Sequence, residues 1–197
     1  MTAIRFAVLG LAALFVAACL PVTTTNPVGS TVGFKADPAL IGLWKGHGED
    51  EDKDDQDGYF YFLRNEDGSI TAILITPGKD ADDWGTFELQ TATLGANHLM
   101  NVREGLKNGK PNDEELAKAN IPMLYRLERD GKLTLALLDD EAAAAAVKAG
   151  KIQGTIEPGT SGDVHITAEP AAQDAFFATK EGAALFGKKL VTLTRVN

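Results

Sequence analysis

The sequence predicts a mainly β protein: an antiparallel barrel or strongly curved sheet with two or three short α-helices at its periphery. Three observations predict it. Apolar residues recur with strand periodicity from residue 41 to residue 196, tight glycine-containing loops join several of the runs, and the helical signals are few and brief.

Taken in order, Ile41-Gly42-Leu43-Trp44-Lys45 opens the series, and an acidic stretch follows it. Tyr59 to Arg64 and Ser69 to Thr76 flank Asn65-Glu66-Asp67-Gly68, a hairpin signature. A three-residue loop, Glu66 to Gly68, puts Gly68 in the left-handed conformation that such loops need and pairs Asn65 with Ser69. Both faces of this hairpin are apolar: Tyr59, Tyr61, Leu63, Ile73 and Ile75 on one, Phe60, Phe62, Ile70 and Leu74 on the other. A barrel interior uses one face only, so the other is expected to lie under a helix, the one carrying Ala142 to Ala146 or the one carrying Phe176 and Phe177.

Trp84 to Ala92 and Ala96 to Arg103 make the next pair, turning near Leu94-Gly95, and Phe87 and Leu89 share a face. Glu104 to Asn120 reads as a polar excursion with a short helix over Asp113 to Ala119. A second hairpin follows around Arg129-Asp130-Gly131. Here the register can be decided, because a one-residue slip moves the apolar set to the wrong side. A two-residue turn opposes Glu128 to Leu133, whereas a three-residue loop opposes Leu127 to Leu133, Tyr125 to Leu135 and Met123 to Leu137; the second is expected.

The clearest helix is Glu141 to Ala149, with Asp139 or Asp140 as N-cap, Glu141 at its positive end, Lys148 at its negative end and Gly150 to stop it. Its alanines permit close approach to the outside of the strands. Short strands at Ile152 to Ile156 and Val164 to Thr167, a helix opened by Pro170, a further turn at Ala183 to Phe186 and a closing strand, Leu190 to Val196, complete the chain.

Before this domain the chain has a different character. Arg5 precedes an apolar run from Phe6 that ends in Val16-Ala17-Ala18-Cys19, the layout of an export signal. The run is shorter than the ~20 apolar residues a membrane-spanning helix needs, and Pro21 and a Thr-rich segment end it. The single cysteine of the chain stands directly after Val-Ala-Ala. The stretch therefore resembles the lipobox of bacterial lipoproteins, which implies a diacylglyceryl thioether on Cys19, removal of residues 1–18 and acylation, palmitate included, of the new N-terminus. Plain secretion is the alternative, but a lone exported thiol invites oxidation or pairing. Leu20 after the cysteine resembles the pattern of lipoproteins sorted to the outer membrane of Gram-negative bacteria, with the domain facing the periplasm. Residues 19–36 read as a lipidated flexible tether, spanning roughly 20 to 25 Å as a coil, and residues 37–197 as a single domain.

Gly42-Leu43-Trp44 resembles the Gly-x-Trp motif of lipocalins, which implies a tryptophan packed across a closed barrel end. The order from Trp84 to Val196 is also similar to a group of uncharacterised proteobacterial lipoproteins of lipocalin-like build; this resemblance implies a fold and a location and brings no catalytic residues.

Composition narrows function. With 28 acidic and 19 basic residues, and fewer basic ones once Arg5 is removed, nucleic acid is a poor partner. Residues 49–57 are an acidic run, but aligning Gly58 with the glycine of an EF-hand puts Lys53 and Arg64 where carboxylates are needed; a solvated loop is the expectation, and no metal. His47, His98 and His165 form no metal-ligand pair at helical spacing. Ser30, Ser69 and Ser161 lie in loop-like sequence with no Gly-x-Ser-x-Gly elbow, and no phosphate-binding glycine motif follows a strand. The sequence thus offers no catalytic residue and no cofactor site, and the chain is not expected to be an enzyme.

Two classes of function remain. As a binding module, the barrel holds a small apolar ligand, with Trp44, Tyr59, Tyr61 and Tyr125 as walls and polar handles. As a structural or interaction lipoprotein, the barrel is filled by its own side chains and offers its surface to an envelope protein. A hollow of several hundred Å³ favours the first and a filled interior the second. The lipobox reading is tested by Cys19→Ser: the variant is expected to remain an unlipidated precursor and leave the membrane fraction, and normal palmitate labelling of it would refute the assignment.

Overall fold

Each hairpin takes the register that its glycine allows. In the computed structural model, which describes residues 21–46, 57–77, 83–111, 119–157 and 163–196, β1 (Thr23–Thr24) precedes β2 (Gly42–Gly46), β3 (Gly58–Arg64), β4 (Ile70–Thr76), β5 (Asp83–Leu94) and β6 (Asn97–Lys107). Then come β7 (Lys110–Pro111), β8 (Ile121–Leu127), β9 (Leu133–Leu137), helix α1 (Asp140–Lys148), β10 (Gly154–Ile156) and β11 (Val164–Ile166). Helices α2 (Pro170–Phe177) and α3 (Lys180–Ala184) and the strand β12 (Lys188–Arg195) end the chain. Gly68 and Gly131 have φ of 85° and 83°. Asn65 bonds Ser69 across the first loop, and Glu128 bonds Lys132 across the second. Tyr125 opposes Leu135 and Leu127 opposes Leu133, as the apolar pattern requires.

Strands β2, β3, β4, β5, β6, β8, β9 and β12 pair antiparallel in that order, and β12 returns to β2. The result is a closed eight-stranded up-and-down barrel of lipocalin-like build, with β7 added as a short hairpin on β6. Closure removes every edge of the main sheet. Side chains alternate across its wall: Trp44, Phe62, Ile70, Leu89, Met100, Met123, Tyr125 and Leu135 point inward and form one core.

A second core lies outside the barrel. Leu94, Leu99, Leu124 and Ala136, the outward residues of β5, β6, β8 and β9, pack against Ala143 and Ala146 of α1, Phe177 of α2 and Ile166 of β11. Asp139 caps α1 by accepting the amide of Ala142 at 2.8 Å, and the small alanine face brings the helix close. Strands β10 and β11 do not enter the barrel; they form a separate three-stranded sheet with β1. The third helix is one turn earlier than the sequence pattern suggested, because Thr179 caps it through the amide of Gly182 at 3.0 Å. The helix expected over Asp113 to Ala119 lies almost wholly outside the described residues.

Two expectations are corrected. The helices do not cover the Tyr59–Tyr61 face. They settle over β5, β6, β8 and β9, where the outward side chains are aliphatic, and leave Tyr59 38% and Tyr61 43% exposed. Nor is the segment before residue 37 a free coil. From Pro21 it packs along the outside of the barrel: Val22 is 2% exposed and Val28 fully buried. Its backbone is held by side chains distant in sequence. Asn101 Oδ1 accepts the amide of Val28 at 2.7 Å while its Nδ2 donates to the Val28 carbonyl at 2.8 Å. Asp174 Oδ1 and Oδ2 accept the amides of Gly29 and Thr31 at 2.6 and 2.9 Å. The strap then bonds Lys35 to Thr91 and Ala36 to Gly68, and Ala36 and Leu40 join the inner core.

Gly131→Val tests the loop geometry. A β-branched residue at this φ is expected to cost about 1–2 kcal/mol or more, lowering Tm by roughly 2–8 °C in a thermal melt; an unchanged Tm would argue against the three-residue loop.

Candidate functional site

The two ends of the barrel differ, and the inward residues at each explain why. At the end where β2 begins and β12 finishes, Trp44 is fully buried and its indole N–H donates to the Leu40 carbonyl at 2.7 Å. The Arg195 guanidinium lies 4.2 Å over the Trp44 ring and donates to the carbonyls of Ile41 and Ala39 at 2.7 and 2.6 Å. Tyr125, also buried, donates its hydroxyl to Asp37 Oδ2 at 2.9 Å. Burial, then the hydrogen bond to Asp37 and the negative charge there, raises the phenol's pKa above its ordinary value, so Tyr125 is a constant donor. The ring of His98 lies 5.5 Å from that of Tyr125. This end is sealed.

At the opposite end three inward positions, Gly46 of β2, Gly58 of β3 and Gly85 of β5, have no side chain. Ala72 stands below them, and the register between β9 and β12 shifts between Lys189 and Val191, where Leu190 joins the wall. Inside the barrel is a cavity of about 60 Å³, or about 560 Å³ when its open mouth is counted. Its walls are apolar throughout; Phe60, Phe62, Phe87, Met100, Met123 and Leu190 are among them. No hydrogen-bonding side chain lines it.

Of the residues expected at a ligand site, none lines this cavity. Trp44 and Tyr125 are inside the barrel but belong to the sealed end. Tyr59 and Tyr61 point outward, which corrects their assignment as interior walls: their neighbours Phe60 and Phe62 hold those positions. The deciding signal was the hydroxyl, since a tyrosine on a two-sided apolar strand turns its polar tip to water and a phenylalanine has none to satisfy. The other cavity residues, Phe87, Met100, Met123 and Leu190, carry no mark in the sequence beyond alternation.

Cys19 and Leu20 lie outside the described residues, as do His47, Ser161 and the acidic run up to Gln56; Asp57 pairs with Lys45 at 3.7 Å. Both ring nitrogens of His165 are engaged by Thr23 and Thr25 of the strap, at 2.7 and 2.9 Å, so it serves the small sheet. Among the described residues no group of three or more His, Cys, Asp or Glu side chains is disposed to hold a metal ion. A second surface feature is apolar. On the outside of β2 to β5, Leu43 opposes Tyr61, and Tyr59, Ile75 and Trp84 form a row across three strands, all more than a third exposed.

The fold and site define a closed antiparallel barrel, sealed at one end and open at the other onto an apolar cavity. No family model matches the chain, and neither a curated protein nor a solved structure does.

The seal itself is testable. Arg195→Ala removes the contact over Trp44 and two carbonyl hydrogen bonds, and is expected to cost about 1–2 kcal/mol, read as a lower urea midpoint at unchanged m-value. Arg195→Lys, which lacks the fork, should recover only part of it.

Proposed function

We propose that this chain is a lipid-anchored lipoprotein of the bacterial outer membrane, held by a diacylglyceryl group on Cys19, whose barrel takes up a small apolar ligand through its open end. It is a binding protein without catalytic residues, cofactor or nucleic-acid partner. The observation that carries the reading is the wholly apolar cavity inside the barrel. A barrel of eight strands is just wide enough to be filled by its own side chains, and the sealed end of this one is. Leaving the mouth end unfilled forfeits dispersion contacts, which a ligand restores. Support for the anchor comes from the signal-like run ending in Val16-Ala17-Ala18-Cys19.

One observation favours a second reading, a scaffold that contacts an envelope protein: the exposed row of Tyr59, Ile75 and Trp84 beside Leu43 and Tyr61. Contiguous exposed apolar surface of this kind marks interaction sites. The two readings differ in what leaves the cell with the protein. Native mass spectrometry of the chain from Leu20 onward, which keeps every described residue, is expected to find a co-purifying lipid-sized mass after expression in its host's periplasm. Repeated recovery of ligand-free protein with no affinity for apolar probes would leave the scaffold reading in front.

A further inference from the structure

We infer that the mouth end of the barrel rests on the bilayer that carries the anchor, with Tyr59, Ile75, Trp84 and Leu106 inserted at the level of the lipid head groups. The inference rests on the lipid-anchor reading above and names the surface that the anchor brings to the membrane.

Position is the first argument. Tyr59 is the second residue of β3, Ile75 the second from last of β4, Trp84 the second of β5 and Leu106 the second from last of β6. Each is more than a third exposed, and because neighbouring strands run in opposite directions all four positions fall at the open end. Tyr59, Ile75 and Trp84 stand side by side across three strands. The Leu106 amide donates to Thr86 Oγ1 of β5 at 2.9 Å and carries the series on to β6. The exposed residues thus make a belt along one side of the rim.

Chemistry is the second. Tyrosine and tryptophan, each an apolar ring with a polar tip, concentrate where hydrocarbon meets head groups. Lys107 and Lys110, both exposed, oppose each other across the β6–β7 hairpin just beyond Leu106. Lysines so placed lay their stems along apolar surface and keep their ammonium groups among the phosphates. The hairpin also fixes the indole. Asn108 and Gly109, at φ of 49° and 77°, make its turn. The Asn108 amide donates to the Trp84 carbonyl at 2.8 Å, and Asn108 Oδ1 accepts the Trp84 amide at 2.9 Å. A Cβ placed on Gly109 would stand 3.6 Å from Trp84 Cζ2, so the ring is braced at the surface.

The anchor selects a membrane over a protein as the occupant. The Thr24 amide donates to the Asn120 carbonyl at 2.9 Å, and Asn120 directly precedes β8, the neighbour of β6, at the mouth end. Cys19 comes five residues before Thr24, at most about 18 Å away along an extended chain. A lipid on Cys19 therefore keeps this end of the barrel close to the bilayer. Charge is not the attraction, because the acidic run 49–57 joins β2 to β3 on the same rim. The contact is made by rings and alkyl groups entering the head-group layer, roughly 5–10 Å deep.

The chain has two tryptophans, Trp44 and Trp84, and of these only Trp84 is exposed. Full-length protein, its lipid on Cys19 verified by mass spectrometry of the N-terminal peptide, is placed in vesicles of phosphatidylethanolamine and phosphatidylcholine. A share of the lipid carries bromine on its acyl chains, a short-range quencher of tryptophan emission. Bromine near the head group is expected to remove most of the emission that Trp84 contributes, and bromine near the chain end much less, at low and high salt alike. Trp84→Phe should leave a Trp44 signal that neither lipid quenches. Ile75→Asp, a change at an exposed position with the anchor intact, should restore the emission and open Trp84 to aqueous iodide. Three results would overturn the mouth-down placement while sparing the anchor: wild-type Trp84 open to iodide and unquenched by lipid, quenching of Trp44, or a photo-crosslinker at position 84 that captures an envelope protein instead of lipid. A chain without lipid on Cys19 would sink the anchor reading, and this inference with it.

Discussion

The structure depends on a short seam. Strand β2 meets β12 through the opposed pairs Thr194–Lys45 and Arg195–Trp44, whereas β4 and β5 stay in register from Ile70–Leu89 to Thr76–Asp83. Joining strands so far apart in sequence carries the largest loop-closure cost in the barrel, and the ladder repays little of it. The missing stabilisation comes from side chains at one end. Arg195 reaches across the seam to cover Trp44 and to bond the carbonyls of Ala39 and Ile41, while Leu40 rises beneath the indole to accept its N–H. At the other end β2 stops at Gly46 and β12 shifts register between Lys189 and Val191. One end of the barrel is therefore tight and the other open for the same reason.

The second core explains how a chain with two-sided apolar strands avoids a wholly apolar surface. Outward positions of β6, β8 and β9 carry Leu99, Leu124 and Ala136, which have no polar atom, and these are the positions that α1, α2 and the small sheet cover. Outward positions of β3 carry Tyr59 and Tyr61, which remain at the surface, where a hydroxyl needs no protein partner. The N-terminal strap completes the cover. Its buried backbone would be costly without partners, and it finds them in Asn101 and Asp174: the first imitates a neighbouring strand by donating and accepting at once, the second gathers two amides on one carboxylate. Gln173 adds a bond from Nε2 to the Asn26 carbonyl at 2.9 Å. The strap is thus integral to the domain, and Pro21 is already buried.

What the sequence discloses and what it withholds divide along physical lines. Hairpin registers were legible because glycine at a left-handed position and strict two-residue alternation each leave one solution, as at Gly131 and Leu127–Leu133. Helix α1 was legible because its cap, charges and stop agree locally. The strap was illegible because residues 21–36 have no periodicity and are ordered by side chains more than seventy positions away. The inward face of β3 was misjudged for a different reason: both of its faces are apolar, and the choice turns on a hydroxyl preference worth little by itself. The cavity could not be read at all, since its lining residues, from Phe60 and Phe62 to Leu190 and Val191, come from strands far apart in sequence, and no local pattern encodes that meeting.

The division of the interior also settles how an unfilled mouth is tolerated. Fully burying a Leu- or Phe-sized side chain stabilises by roughly 1.5–3 kcal/mol, and the sealed half holds Trp44, Leu40, Ile70, Leu133 and Leu193 at 1% exposure or less. The outer core adds Leu99, Ile166 and Phe177, equally buried. Against these, an empty space of about 60 Å³ costs only on the order of 1–2 kcal/mol at 24 cal/mol per Å³. Stability and the cavity thus reside in different layers of one barrel. A side chain lining the cavity could change to suit an occupant without loosening the end that keeps the barrel shut.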